Sequence, residues 1–208
     1  MNIFIADDHA IVRKGLKQLL REEFATAQIT EVSNGLDVLE KVRDKNWDVI
    51  MLDIGLPGLN GLDVLKQLKA EGVKAPVLML SIYPEEQYAM RSLKAGAAGF
   101  LNKASATTEL IAAIHKVLQG RTYLSASLAE KLVDGTRHNS KKSLHELLSD
   151  REMQILQFIA SGKTNTEIAA EIFLSVHTIS TYRTRILEKL GLNNNAELTR
   201  YAMDNSLV

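Results

Sequence analysis

The chain predicts an α/β domain built on a five-stranded parallel sheet with helices on both faces, followed by a small four-helix unit. Three observations predict it. Through about residue 120, short apolar runs alternate with stretches of helical spacing. A polar, unpatterned stretch from Gly135 to Ser143 then breaks the alternation. Beyond it the apolar residues recur at helical spacing alone, the first three helices each opened by a serine or threonine. A length of 208 residues accommodates two small domains.

Asn2 to Ala6 reads as the first strand, with Asp7, Asp8 and His9 at its carboxyl end. Ile11, Leu16, Leu19 and Leu20 form an apolar stripe, with Arg13, Lys14, Lys17 and Arg21 turned outward, which predicts a helix over residues 10–23. Ile29 to Val32 is a second strand and Leu36 to Asp44 a second helix. Val49 to Leu52 is continuously apolar, as befits a parallel strand covered on both faces. Gly55, Pro57 and Gly58 end it at once, just after Asp53. Leu62 to Ala70 is helical, Val77 to Leu80 is a strand ending in Ser81, and Pro84 to Ala95 is helical. Gly99 to Leu101 is a short strand ending near Lys103, and a helix from Ala106 to Leu118 closes the set. Right-handed crossovers join strands of this order into a doubly wound sheet.

Ligands of such sheets sit at the carboxyl ends of the strands. Asp7, Asp8, Asp53, Ser81 and Lys103 would therefore meet on one rim. Three crowded carboxylates repel and raise one another's pKa unless a hard divalent cation is shared among them, and magnesium is the natural occupant, with a backbone carbonyl near Gly55 as a further ligand. Asp53 could then attack a phosphoryl donor and carry the product as an acyl phosphate. The Lys103 ammonium and Ser81 hydroxyl would bind its oxygens. Singly, each residue has a plainer role as capping acid, turn hydroxyl or surface lysine. Five residues of the right kind at successive strand ends point jointly to phosphoryl chemistry.

Residues 121–145 read as a linker, with a short helix possible over Leu128 to Val133 and local basic charge from Arg137, His138, Lys141 and Lys142. Residues 146–208 form the helical unit. Ser149 with Glu152 and Thr164 with Glu167 have capping-box spacing, Ser175 can cap a third helix running from Val176 to Leu190, and Ala196 to Met203 forms a fourth. A short helix, a tight turn and a longer, well-capped helix are the pattern of a helix-turn-helix. On the third helix Ile179, Ile186, Leu187 and Leu190 share one face, while His177, Ser180, Thr181, Thr184 and Arg185 occupy the other. Short hydroxyl side chains let a helix approach base edges closely, and cations reach phosphates. The unit holds six basic against eight acidic residues, so binding by a monomer is weak and a dimer on two half-sites is expected.

The acidic pair Asp7-Asp8, Asp53 in LDIGLPGLNG, Ser81 in MLS and Lys103 in GAAGFLNK resemble the receiver domain of bacterial two-component response regulators, a flavodoxin-like fold. The stretch from Leu148 to Leu192 resembles the LuxR-type helix-turn-helix. Together they make the chain similar to the NarL/FixJ group of transcriptional regulators. The resemblance implies that Asp53 is the phosphoacceptor, that Asp7, Asp8, Asp53 and the Gly55 carbonyl hold magnesium, and that Ser81 and Lys103 read the phosphoryl group. It makes Phe100 a switch aromatic that turns inward as Ser81 moves toward phosphate. It places Ser180, Thr181 and Thr184 at bases, and Thr166, Thr178, Arg183, Arg185 and Lys189 toward phosphates. It gives the last helix a dimer contact through Leu198, Ala202 and Met203. A histidine kinase, double-stranded DNA and a second copy of the chain are the implied partners. Ala104 stands where the family often has proline, which leaves the loop geometry at Lys103 open.

Composition bounds the alternatives. No apolar run approaches the ~18 residues of a membrane span, so a cytoplasmic protein without membrane contact is expected. The absence of cysteine excludes disulfides, thiolate metal sites and cysteine nucleophiles. Twenty-five basic residues balance twenty-five acidic ones, so only local patches could favour nucleic acid. Two other readings compete: a phosphorylation-independent DNA binder whose receiver only docks or dimerises, and a magnesium-dependent phosphatase. The phosphatase reading needs an acid two residues after the nucleophile, where this chain has Gly55. It is therefore expected not to act as an enzyme beyond accepting and slowly hydrolysing its own phosphoryl group.

Overall fold

The computed structural model describes residues 1–83, 85–130, 143–205, 207 and 208, without the Glu86 side chain. It divides into two compact units, Met1–His138 and Asn139–Val208. Among the described residues no helix is long and apolar enough to cross a membrane.

In the first unit five strands, β1 (Asn2–Ala6), β2 (Gln28–Val32), β3 (Val49–Asp53), β4 (Val77–Ser81) and β5 (Gly99–Asn102), alternate with α1 (Ala10–Glu23), α2 (Gly35–Lys41), α3 (Gly61–Ala70), α4 (Glu85–Lys94) and α5 (Ala106–Leu118). The sheet is parallel with order β2-β1-β3-β4-β5. Every residue of β3 and β4 is buried, in keeping with their continuous apolar runs, whereas edge strand β2 is mostly half-buried. Register decides what gathers at the carboxyl rim. Ala6 lies opposite Leu52, Asp53 opposite Leu80, and Ser81 opposite Asn102. The next residues out from β1 and β5, Asp7 and Lys103, therefore flank Asp53.

One face of α1 packs through Leu16 and Leu20, which are buried. Ile11, expected on that stripe, is 88% exposed. It sits in the first turn, above the end of β1, where there is no sheet left to pack against. The loop after β3 is pinned by two close approaches. A Cβ on Gly61 would lie 2.0 Å from the Asp53 carbonyl oxygen, and one on Gly35 would lie 2.0 Å from that of Leu59. Only glycine lets the backbones come so near.

The first unit extends past residue 120. Tyr123 bridges Gly99 at the free edge of β5, giving its N–H to Ala98 and accepting from Phe100. Ser125 donates to Glu85 at 2.5 Å, Leu128 is buried, and residues 126–130 are helical. The segment expected to begin the linker is thus docked on β5 and α4. The remainder of the helix expected to reach Val133, the basic stretch with Arg137, His138, Lys141 and Lys142, and the helix start expected at Pro84 lie outside the described residues.

The second unit consists of a 3-10 turn (Leu144–Leu147), α6 (Asp150–Ala160), α7 (Asn165–Glu171), α8 (Val176–Leu190) and α9 (Asn195–Asp204). Capping boxes form at Ser149 with Glu152 and at Thr164 with Glu167, Ser175 accepts from the Thr178 N–H, and Gly191 ends α8 at φ 67°. Leu198 and Ala202, expected to offer a dimer contact, are fully buried in this unit and help to hold α9 in place. Met203, at 62% exposure, is the one of the three that faces solvent.

Gly61→Ala is expected to destabilise the first unit by about 1–3 kcal/mol or more, because the clash is with backbone that cannot swing aside. Urea unfolding followed by Trp47 fluorescence checks it, and an unchanged midpoint would contradict the close approach described here.

Candidate functional site: an acidic rim and a helix-turn-helix

Asp7, Asp53 and Ser81 are buried at the carboxyl rim, with the Lys103 side chain among them. Lys103 Nζ lies 2.7 Å from Asp7 Oδ2 and 2.8 Å from Asp53 Oδ2. These contacts are electrostatic rather than well-aligned hydrogen bonds, because both oxygens and the ammonium are buried without a hydrogen-bond partner of good geometry. Burial pushes the Asp53 carboxyl up, Lys103 pulls it back and Asp7 pushes it up again, leaving it at about 6. For Lys103, burial works against the charge, but Asp53 and Asp7 outweigh it and hold its pKa above the ordinary lysine value. All described peptide bonds are trans, and with Ala104 after it Lys103 still reaches both acids.

The other rim residues surround this triad. The Gly55 N–H donates to Asp53 Oδ1 at 3.2 Å. Ser81 Oγ accepts from the Tyr83 N–H at 2.9 Å, while the Ser81 carbonyl accepts from the Lys103 N–H at 2.8 Å. Asp8 stands on the open side, its side chain 35% exposed and 2.6 Å from His9 Nδ1. Phe100, on β5, is fully buried. Two residues not anticipated also serve the rim. Arg13 Nη1 donates to the Asp7 carbonyl, and the His9 N–H donates to Asp7 Oδ1 at 2.8 Å. The second is a backbone contact that any residue but proline could supply at position 9, so side-chain identity gives no signal for it.

The donor set fits a divalent cation. One ligand atom each of Asp7, Asp8, His9 and Asp53 lies within 4.8 Å of the others. Asp7 Oδ2 and Asp53 Oδ2 also retain unsatisfied acceptor capacity.

In the second unit Ser180, Thr181, Thr184, Arg185 and Thr166 are exposed as expected. The Thr181 and Thr184 hydroxyls donate to the carbonyls of His177 and Ser180, so they present methyl groups and acceptor lone pairs outward. Thr178 is half-buried, its hydroxyl 2.7 Å from that of Ser175, and Arg183 donates to Asn195. Lys189, exposed at the surface, lies 2.6 Å from Glu152 Oε2 and within reach of the Leu147 carbonyl. The reason is electrostatic: burial would raise the Glu152 pKa, but Lys189 and the Ser149 N–H satisfy the carboxylate and hold it below the usual range. The turn between α7 and α8 places Phe173 at φ 55°, and Arg151 bonds the adjacent Ile172 carbonyl at 3.3 Å. Left-handed backbone at a bulky residue is unfavourable and persists only where its surroundings impose it.

The sheet with this acidic rim defines a receiver-type domain, and the helical unit defines a helix-turn-helix module. Residues 3–115 match the response regulator receiver domain, and residues 146–202 match the bacterial regulatory proteins of the luxR family. Over 205 residues the chain is 38% identical to the virulence-factor transcription regulator BvgA of Bordetella pertussis, covering 99% of this chain and 98% of that one. It is 34% identical over 216 residues to the oxygen regulatory protein NreC of Staphylococcus epidermidis, covering 100% and 99%. A structure of RcsB from Salmonella enterica serovar Typhimurium, bound to promoter rprA with a phosphomimetic, aligns at TM-score 0.66 and 26% identity over 97% of both chains. The chain belongs to the NarL/FixJ family of response regulators, a receiver domain followed by a LuxR-type DNA-binding domain.

The raised Asp53 pKa has a sign. Between the ordinary value of 3.8 and about 6 the folded chain holds a proton that the unfolded chain releases, so this stabilisation is complete below 3.8 and lost as pH rises through about 6. Asp53→Asn, which cannot ionise, is expected to gain in stability relative to the parent as pH rises through that window. Urea midpoints from pH 4 to 7 measure the gap, and a gap that does not widen with pH would contradict the buried, strained carboxylate.

Proposed function

We propose that this chain is a transcription regulator switched by phosphorylation of Asp53, with a histidine kinase as phosphoryl source, magnesium at the rim and a homodimer as the DNA-bound form. The observation that carries the reading is the rim: Asp53 is held between a buried lysine and a second buried acid, with Ser81 on the adjacent strand end. With a carboxyl pKa of about 6, Asp53 is mostly ionised at neutral pH and able to act as the nucleophile. Bound magnesium would neutralise the crowded carboxylates and polarise the phosphoryl donor. Asp7, Asp8, Asp53 and the Gly55 carbonyl would hold it. Lys103 is placed to pair with a phosphoryl oxygen in exchange for one of its two carboxylates. If the Ser81 side chain turned to donate its hydroxyl to that phosphoryl group, the hydrogen bond it accepts from the Tyr83 N–H would be displaced and the loop after β4 would shift with it.

Gly55 lends this reading support against a phosphatase. The position two residues after Asp53 carries no side chain, so no general acid stands there to speed turnover. The aspartyl phosphate then serves as a timed signal rather than a catalytic intermediate. The RcsB complex with promoter DNA and a phosphomimetic supports the reading. The setting proposed for this chain is the cytoplasm. Ser180, Thr181 and Thr184 would face bases, with Thr166, Thr178, Arg183 and Arg185 toward phosphates.

Fluorescence anisotropy on a DNA fragment selected by the protein from its own genome tests the switch. Acetyl phosphate with magnesium is expected to tighten binding at least tenfold for the parent and to leave Asp53→Asn unchanged. Equal affinity of the parent with and without acetyl phosphate would favour a constitutive DNA binder instead. Arg185→Ala is expected to weaken binding to all sequences and to lower the slope of log affinity against log salt by about one per half-site. An unchanged slope would remove Arg185 from the phosphate contacts.

A further inference from the structure

We propose that His9 is a metal ligand that tunes the rim toward borderline first-row divalent cations such as manganese, cobalt and nickel. This rests on the reading of the rim as a metal site and adds to it a ligand and a preference. His9 precedes the first residue of α1, and its own N–H donates to Asp7 Oδ1 at 2.8 Å, which fixes the peptide from which the ring projects. The ring nitrogen Nδ1 lies 2.6 Å from Asp8 Oδ1 and 3.4 Å from Asp7 Oδ1. Neighbouring ligand atoms on an octahedral cation with bonds of about 2.1 Å stand about 3 Å apart, a spacing that the two separations bracket, and a cation would take the place of the hydrogen that Nδ1 shares with Asp8.

Access favours the same side. Lys103 approaches Asp7 and Asp53 from within the fold, its side chain 6% exposed. Asp8 and His9 form the open side, with side chains 35% and 55% exposed. A cation entering there meets the imidazole and the Asp8 carboxylate first and reaches Asp53 next. Magnesium takes oxygen ligands and gains little from an imidazole, whereas manganese, cobalt and nickel accept nitrogen, with affinity rising along that series. The His9 ring would therefore leave magnesium nearly unaffected and strengthen the others. Among the described residues His9 is the histidine that stands beside three carboxylates. His115 has Glu23 as its ion-pair partner, and His145 contacts the Tyr201 hydroxyl.

Calorimetric titration of the full chain with magnesium and, separately, with nickel at one pH tests the assignment, using the parent, His9→Asn and His9→Ala. The asparagine can still donate to Asp8 but lacks the imidazole nitrogen. Both variants are expected to lower the nickel-to-magnesium affinity ratio at least tenfold. In the parent, substoichiometric manganese is expected to broaden the His9 ring protons in NMR spectra before those of His115 or His145. A ratio unchanged in both variants overturns the proposal. Equal losses of nickel and magnesium also overturn it, since His9 would then only orient Asp8. The underlying rim reading fails separately, if Asp8→Asn and Asp53→Asn leave magnesium affinity at the parent value.

Discussion

A single buried ammonium sets the terms for the first domain. Lys103 brings one positive charge to two buried carboxylates, Asp7 and Asp53, with Asp8 close by on the open side. Removing one partner from a buried ionic group leaves an uncompensated charge, which is far costlier than losing a surface pair. The rest of the rim is arranged around that constraint. The register brings the ends of β1, β3 and β5 together, Gly61 allows α3 to begin against the Asp53 carbonyl, and Arg13 and His9 fix Asp7 from the other side. The cluster remains short of positive charge even so. That deficit is what a divalent cation can answer.

The DNA-binding domain uses one comparable interaction at a different place. Glu152 closes the capping box of α6 and also receives Lys189 from the last turn of α8. One carboxylate thereby starts one helix and anchors the end of another. At the opposite end of α8, Ser175 caps the first turn and Arg151 holds the Ile172 carbonyl beside the left-handed Phe173. The helix is held at both ends, and its exposed middle carries Ser180, Thr181, Thr184 and Arg185.

How much of this could be read from the residues depended on whether the cause was local. Strand ends are marked by the residue that interrupts an apolar run, so Asp7, Asp53, Ser81 and Lys103 were visible together. Capping boxes span three residues, so the helix starts of the second domain were visible too. What escaped is non-local. Nothing near Lys189 in sequence shows that Glu152, thirty-seven residues earlier, needs a cation. Helical spacing shows that Leu198 and Ala202 share a face, but not that this face is the inner one. The docking of Tyr123 on β5 depends on Gly99, which leaves room for the tyrosine only because it lacks a side chain. Ile11 failed for the opposite reason, since a stripe continues along the helix beyond the end of the sheet that would bury it.

The pairing of Lys189 with Glu152 bears on how a phosphorylation signal would be used. With Lys189 paired to Glu152, Arg183 and Arg185 are the cations of α8 without an acidic side-chain partner among the described residues, Arg183 bonding only the neutral Asn195 amide. The Thr181 and Thr184 hydroxyls donate within the helix, leaving methyl groups and lone pairs on the exposed side. A domain so equipped gains little from phosphate neutralisation, and one copy would bind weakly. Linking two copies makes the second contact effectively intramolecular and raises overall affinity by orders of magnitude without a new DNA contact. On the proposed reading, a modest bias toward pairing, set at the rim by the exchange of Lys103 and Ser81 between protein and phosphoryl partners, is then sufficient to govern occupancy of DNA. The weakness of the single reading helix is what gives that small bias its leverage.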